Sequence, residues 1–149
     1  MKKLAEKKTN NKGFSLVELI IVIAIMAVLI GVLAPQYMRY LEKSRLGKDN
    51  SAIDSVKTSI EAALTDESVY TATAAVGADI TLTFSGTGYT WSANAPTALK
   101  DEVTATVAAA DAKVGSKTYT KTGATAPTLV IDSNLKVTTG GGYTTTPSN

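Results

Sequence analysis

Hydrophobic positions along this chain follow three patterns in succession. From Phe14 to Ala34 apolar residues go all the way round a helix, and between Leu19 and Ala34 there is no charge. A helix apolar on every side must be buried, in lipid or in a bundle of its own kind. About 21 residues at the helical rise give roughly 31 Å, enough to span a bilayer core. Beyond Pro35 the pattern turns amphipathic. Met38, Leu41, Ile53, Val56, Ile60 and Leu64 recur at spacings that fit one helical face, with Arg39, Glu42, Lys43, Arg45, Asp54 and Lys57 elsewhere. This predicts one long helix over about 15–64. Gly47 to Asn50 reads as a weaker patch, a loose turn within it.

From Asp66 a separate head begins, with a period of two. Ile80-Thr81-Leu82-Thr83-Phe84 alternates and precedes Gly86-Thr87-Gly88, with Tyr89-Thr90-Trp91 as the returning strand. Leu99 to Ala110 is ambiguous: Leu99, Val103 and Val107 suit a short helix, whereas the threonines permit a strand. Thr128 to Asp132 and Leu135 to Thr139 read as a second hairpin about Ser133-Asn134, and Gly140-Gly141-Gly142 as the start of a mobile tail. The expected architecture is α+β, a small antiparallel sheet against the amphipathic half-helix.

Charge and composition narrow the function. The chain has 149 residues, no cysteine and no histidine, which removes disulfides, thiol chemistry, the usual general base and the commonest metal ligand. Asp66-Glu67 and Asp101-Glu102 read as solvated surface or helix starts, and Trp91 with Tyr89 as core. No catalytic constellation emerges, so an enzyme is not expected, and no cofactor. Asp132-Ser133-Asn134 offers the oxygen ligands of a calcium site, but a hairpin turn explains the same residues, and no metal is assigned.

Five of the 15 basic residues (Lys2, Lys3, Lys7, Lys8 and Lys12) precede the apolar run, against Glu6 alone. The remainder of the chain carries ten basic and twelve acidic side chains, a net charge of −2. The basic balance is therefore no argument for nucleic acid. It fits the positive-inside rule, with the N-terminus in the cytoplasm and the head outside.

One residue stands out of pattern. Glu18 lies near the start of the apolar run, where a carboxylate costs energy and no lysine or arginine is at hand to pair with it. A central charge costs roughly 2.5–3.5 kcal/mol, which the many Leu, Ile, Val and Phe residues outweigh at about 0.3–0.6 kcal/mol each. Insertion survives, and an ionisable residue in such a place is a functional candidate.

Gly13-Phe14-Ser15-Leu16-Val17-Glu18-Leu19 resembles the prepilin motif of type IV pilins and the related pseudopilins. The resemblance covers about the first 45 residues and does not reach the head. It implies cleavage after Gly13 by a membrane-embedded prepilin peptidase and N-methylation of Phe14. It also implies a role for Glu18 in neutralising the new amine of a neighbouring subunit during assembly. The resulting domains are a leader over 1–13, a membrane-spanning and filament-core helix over 14–35, and an extracytoplasmic head over 36–149. Many family members staple the C-terminal part of the head with a disulfide, a pattern this cysteine-free chain departs from.

Pro35 matches the family's proline. It lacks the N–H that would bond the Gly31 carbonyl, so Gly31 and Pro35 mark a weak point where the helix kinks or melts, or a mere bend at the membrane exit. The implied function is a structural subunit of a type IV pilus-like filament. Its partners are identical or homologous pilin subunits, the prepilin peptidase and the assembly machinery. The implied location is the cytoplasmic membrane first and a surface pilus afterwards. A pseudopilin of a type II secretion or competence DNA-uptake system shares the same N-terminus. Rivals without that motif are a membrane-anchored extracytoplasmic binding domain, a plain signal-anchor and, with Val32-Leu33-Ala34 as cleavage site, a secretory signal peptide, which Pro35 obstructs.

Overall fold

The computed structural model describes residues 13–147. The leader lysines lie outside the described residues. The chain divides into two compact units, one ending at Met38 and one beginning at Arg39. Helix α1, Leu16–Ala63, takes in the apolar run and the amphipathic stretch, passing through Gly31 and Pro35 as continuous helix.

In the first unit the apolar side chains of the described residues are exposed. Ile20, Ile23, Met26, Leu29 and Leu33 are 50–57% exposed. By length and composition this helix is sufficient to cross a membrane.

In the second unit α1 turns one face inward. Leu46, Ile53, Val56, Ile60 and Ala63 are buried, at the three-, four- and seven-residue spacings of a helical stripe. Met38, expected on that face, is 51% exposed, because it precedes the residues with a core to meet. The patch at Gly47 to Asn50 is ordinary helix, not a loose turn: Asp49 is buried, and its carboxylate is taken up by the head.

After α1 come α2 (Glu67–Ala74), β1 (Ile80–Ser85), β2 (Gly88–Trp91) and α3 (Thr97–Thr106). A 3-10 turn (Ala109–Asp111), α4 (Lys117–Thr120), β3 (Pro127–Ile131) and β4 (Val137–Gly141) complete the chain. The ambiguous 99–110 stretch is helical as far as Thr106, whereas Val107, expected on that helix, is its extended C-cap. Its apolar residues Leu99 and Val103, four apart, both reach the core. Asp66 caps α2, its carboxylate accepting from the N–H groups of Ser68 and Val69.

The four strands form one antiparallel sheet in the order β2-β1-β3-β4. Alternation sets its buried face: Ile80, Leu82 and Phe84 from β1, with Leu129 and Ile131 from β3. These join the buried α1 residues in a single core with Leu99, Val103 and Val114. The α+β head expected from the alternating segments is what the chain forms.

Two details of the last hairpin differ from expectation. β4 begins at Val137, not Leu135, because Leu135 takes a positive φ of 61° in the turn. The glycine run does not open a tail: Gly140 pairs with Thr128 and Gly141 with Pro127. A Cβ at Gly142 would sit 1.9 Å from the Thr125 carbonyl oxygen, so the close backbone approach there admits only glycine. Beyond it, Thr144 returns to α1, its carbonyl accepting from Asn50 Nδ2 at 2.9 Å.

Candidate functional site

Gly13, Phe14 and Ser15 precede α1, and Phe14 is 84% exposed. Ser15 occupies the N-cap position, and its backbone carbonyl accepts from Leu19 N–H at 3.2 Å, closing the first turn. Glu18 stands three residues on, and its Oε2 accepts from the Ser15 N–H at 2.9 Å. This is the carboxylate half of a capping box, in which the third helical residue reaches back to the cap amide. The carboxylate that looked out of place in an apolar run thus has a local partner. Ser-x-x-Glu at 15–18 carries that signature in the sequence, and the reading by hydropathy passed over it.

Gly13 is a different case. Its φ is not in the left-handed region, and a Cβ there would meet nothing within 4 Å. Nothing in the fold requires glycine at this position. Gly31 likewise has open space where a Cβ would stand, within unbroken helix. Gly13, Phe14 and Glu18 lie within six residues at the start of α1, while Gly31 and Pro35 lie inside the same helix.

The head carries its own polar centre, which the sequence reading missed. Asp49 accepts from Gly115 N–H at 3.0 Å and from Ser116 N–H at 2.7 Å. Two helical turns earlier, Glu42 Oε1 accepts from Thr118 N–H at 3.0 Å. Asn50 Oδ1 accepts from the Tyr119 hydroxyl at 2.6 Å, and that hydroxyl also lies 3.1 Å from the Thr144 carbonyl. Residues 42, 49 and 50 on α1 therefore clasp both the 115–119 loop and the C-terminal segment. Burial pushes the Tyr119 hydroxyl above the ordinary tyrosine range, against the opposing pull of its bond to Thr144. Burial also raises Tyr143, with the Asp54 carboxylate adding to it.

Among the described residues no three His, Cys, Asp or Glu side chains gather as a metal site. Asp132 Oδ1 accepts from Asn134 N–H at 2.8 Å and Lys136 N–H at 3.0 Å, so its carboxylate shapes its own turn. Tyr89 is buried, and its ring meets Trp91 edge-on at 6.2 Å, a packing contact.

Comparison with known proteins bears on the N-terminal segment. Residues 8–34 match the family model described as the prokaryotic N-terminal methylation motif. The type IV major fimbrial protein FimA of Dichelobacter nodosus is 39% identical over 59 residues, covering 40% of this chain and 38% of that protein. The type IV major alpha-pilin of Moraxella bovis is 42% identical over 53 residues, 36% of this chain and 33% of its own. A fimbrial protein of Pseudomonas aeruginosa is 38% identical over 53 residues, 36% of this chain and 34% of its own. The chain thus spans little more than a third of the length of these relatives. No solved structure matches it. Over its N-terminal segment the chain carries the methylation motif and is similar to type IV fimbrial proteins.

Proposed function

We propose that this chain is a structural subunit of a type IV pilus-like filament, built as a prepilin and not as an enzyme. In this reading residues 1–13 are a leader removed by a prepilin peptidase, and Phe14 becomes the N-methylated first residue. Residues 14–35 hold the subunit in the cytoplasmic membrane, N-terminus inward, until they enter the filament core. Residues 36–149 form the outer head. The observation that carries it is the uniformly exposed apolar half of α1 directly behind the methylation motif. Such a surface needs lipid or copies of itself, and heterologous contacts that do not close make a fibre. That the relatives named above are fimbrial proteins supports the same conclusion. Gly31 and Pro35 serve as the point where α1 yields during that transfer, since proline leaves one helical carbonyl without a donor.

Gly13 supports the cleavage junction, because the fold gives no reason for a glycine there. A Gly13→Leu chain is expected to accumulate in membranes with its leader attached, read by mass spectrometry of the intact protein. Glu18→Gln separates two roles of that side chain. A glutamine keeps an oxygen to accept from the Ser15 amide and removes only the charge. The variant is expected to insert and to be processed, yet to reach sheared filaments poorly. Loss of one partner from a buried charge pair costs roughly 3–5 kcal/mol, several hundredfold or more in association. Wild-type filament yield would show that Glu18 acts only as a cap, and the intersubunit pairing would be discarded.

A further inference from the structure

We propose that Arg39, Lys43, Arg45 and Lys48 form a basic collar that binds the phosphate headgroups of an anionic phospholipid surface. The proposal rests on the reading that residues 14–35 reside in a membrane. All four side chains are exposed, and none forms an ion pair among the described residues. The two carboxylates in the same stretch do not neutralise them. Glu42 is drawn to the Thr118 amide and Asp49 to the amides of Gly115 and Ser116, so their charge is spent inside the head.

The four cations follow Pro35 by four to thirteen residues, roughly 6–20 Å along the helix, so Arg39 lies in the headgroup zone and the others stand progressively above it. At about 100° per residue they stand near 0°, 40°, 240° and 180° around the helix, a collar and not a stripe. Glu42, Leu46 and Asp49, near 300°, 340° and 280°, turn to the head, and the cations occupy the circumference that is left. Long basic side chains also reach along a helix to place their charge at the interface.

The rest of the head has the opposite sign. From residue 50 onward there are nine acidic side chains and six lysines, a net charge of −3. An anionic surface therefore attracts the collar and repels the remainder, orienting the head before the subunit leaves the membrane. Each lysine or arginine near such a surface strengthens binding roughly fivefold.

The test uses the full-length chain in phosphatidylcholine vesicles containing spin-labelled phosphatidylglycerol or spin-labelled phosphatidylcholine. Wild type is expected to select phosphatidylglycerol, with the selectivity lost in high salt. Arg39→Gln with Lys43→Gln should cut that selectivity by up to roughly fivefold for each charge removed. Lys100→Gln with Lys136→Gln, the same charge change elsewhere, should leave it unchanged. Arg39→Lys with Arg45→Lys should preserve it. The leader lysines are common to all these proteins and cancel. Equal selectivity in the two glutamine pairs overturns the collar. A collar variant that keeps its lipid selectivity but loses chemical cross-links between copies also overturns it, and assigns the cations to the acidic head of a neighbour. Release of the wild-type chain from vesicles by alkaline carbonate is a separate failure, that of the membrane reading itself.

Discussion

Ile23 and Ile53 sit in the same helix and differ in everything that surrounds them. Ile23 is 52% exposed, and Ile53 is fully buried. The residue type is the same, so the difference lies in what each half of α1 has been given to pack against. The second half has a sheet, three short helices and a polar clasp within its own chain. The first half has none, although it is the more apolar. In the reading proposed above, a stretch that hydrophobic and that uncovered is an unfinished core whose remainder comes from outside the polypeptide. The head, by contrast, is complete, and mutations in the two halves should report on different events.

The widest separation is expected from two truncations of similar size. Leu129→Ala, in the fully buried centre of β3, should cost about 2–5 kcal/mol of head stability. Ile25→Ala should leave the head's thermal transition where it is, since Ile25 is 55% exposed. Both are read by circular dichroism of the full chain in detergent. A matching fall for Ile25→Ala would mean that the two halves are not independent.

Asp49→Ala removes the acceptor of the buried Ser116 amide and the part-buried Gly115 amide, and should cost about 1–3 kcal/mol, chiefly for Ser116 left without a partner. Amide exchange at Gly115 and Ser116 should rise first. A smaller loss, about 0.5–1.5 kcal/mol, is expected for Tyr119→Phe, which gives up the bonds to Asn50 and Thr144.

The Tyr119 hydroxyl titrates higher in the folded chain than when unfolded. Its contribution is therefore whole below the unfolded value, near 10, and lost as pH rises through the folded one. Wild type should loosen its C-terminal segment in that alkaline window, and the phenylalanine variant should do so less. Tyrosinate absorbance and amide exchange at Thr144 follow it.

The least effect belongs to Asp66. Its hydrogen bonds to Ser68 and Val69 hold its carboxyl below the usual range. What it contributes to α2 is thus present above the unfolded value and fades as pH falls through the folded one. Asp66→Ala should speed exchange at Ser68 and Val69 near neutral pH and abolish that acid dependence.

Periodicity made most of this fold legible. The long helix was bounded within one residue at each end, because a change of pattern is visible even where the helix continues. The β1–β2 hairpin was equally clear from alternation about a glycine turn. Where the reading failed, composition was trusted over context. Gly140 to Gly142 has the composition of a loose tail, yet glycine is there because two backbones nearly touch. Asp49 broke the apolar stripe and was read as weakness, since its amide partners lie 66 and 67 positions away. The motif at Gly13–Glu18 was plain in sequence. A helix-end role for Glu18 is legible there too, and the structure adds its form, a bond from the Ser15 N–H.

The clasp at Asp49 and Asn50 also fixes an order in time. Helix α1 leaves the ribosome first, but Asn50 waits for Thr144, 94 positions later. At about 5–20 residues per second the helix stands for roughly 5–20 s with a bare carboxylate and an uncovered stripe. The clasp therefore cannot close before Thr144 has been made. A late segment decides when the helix made first is finished.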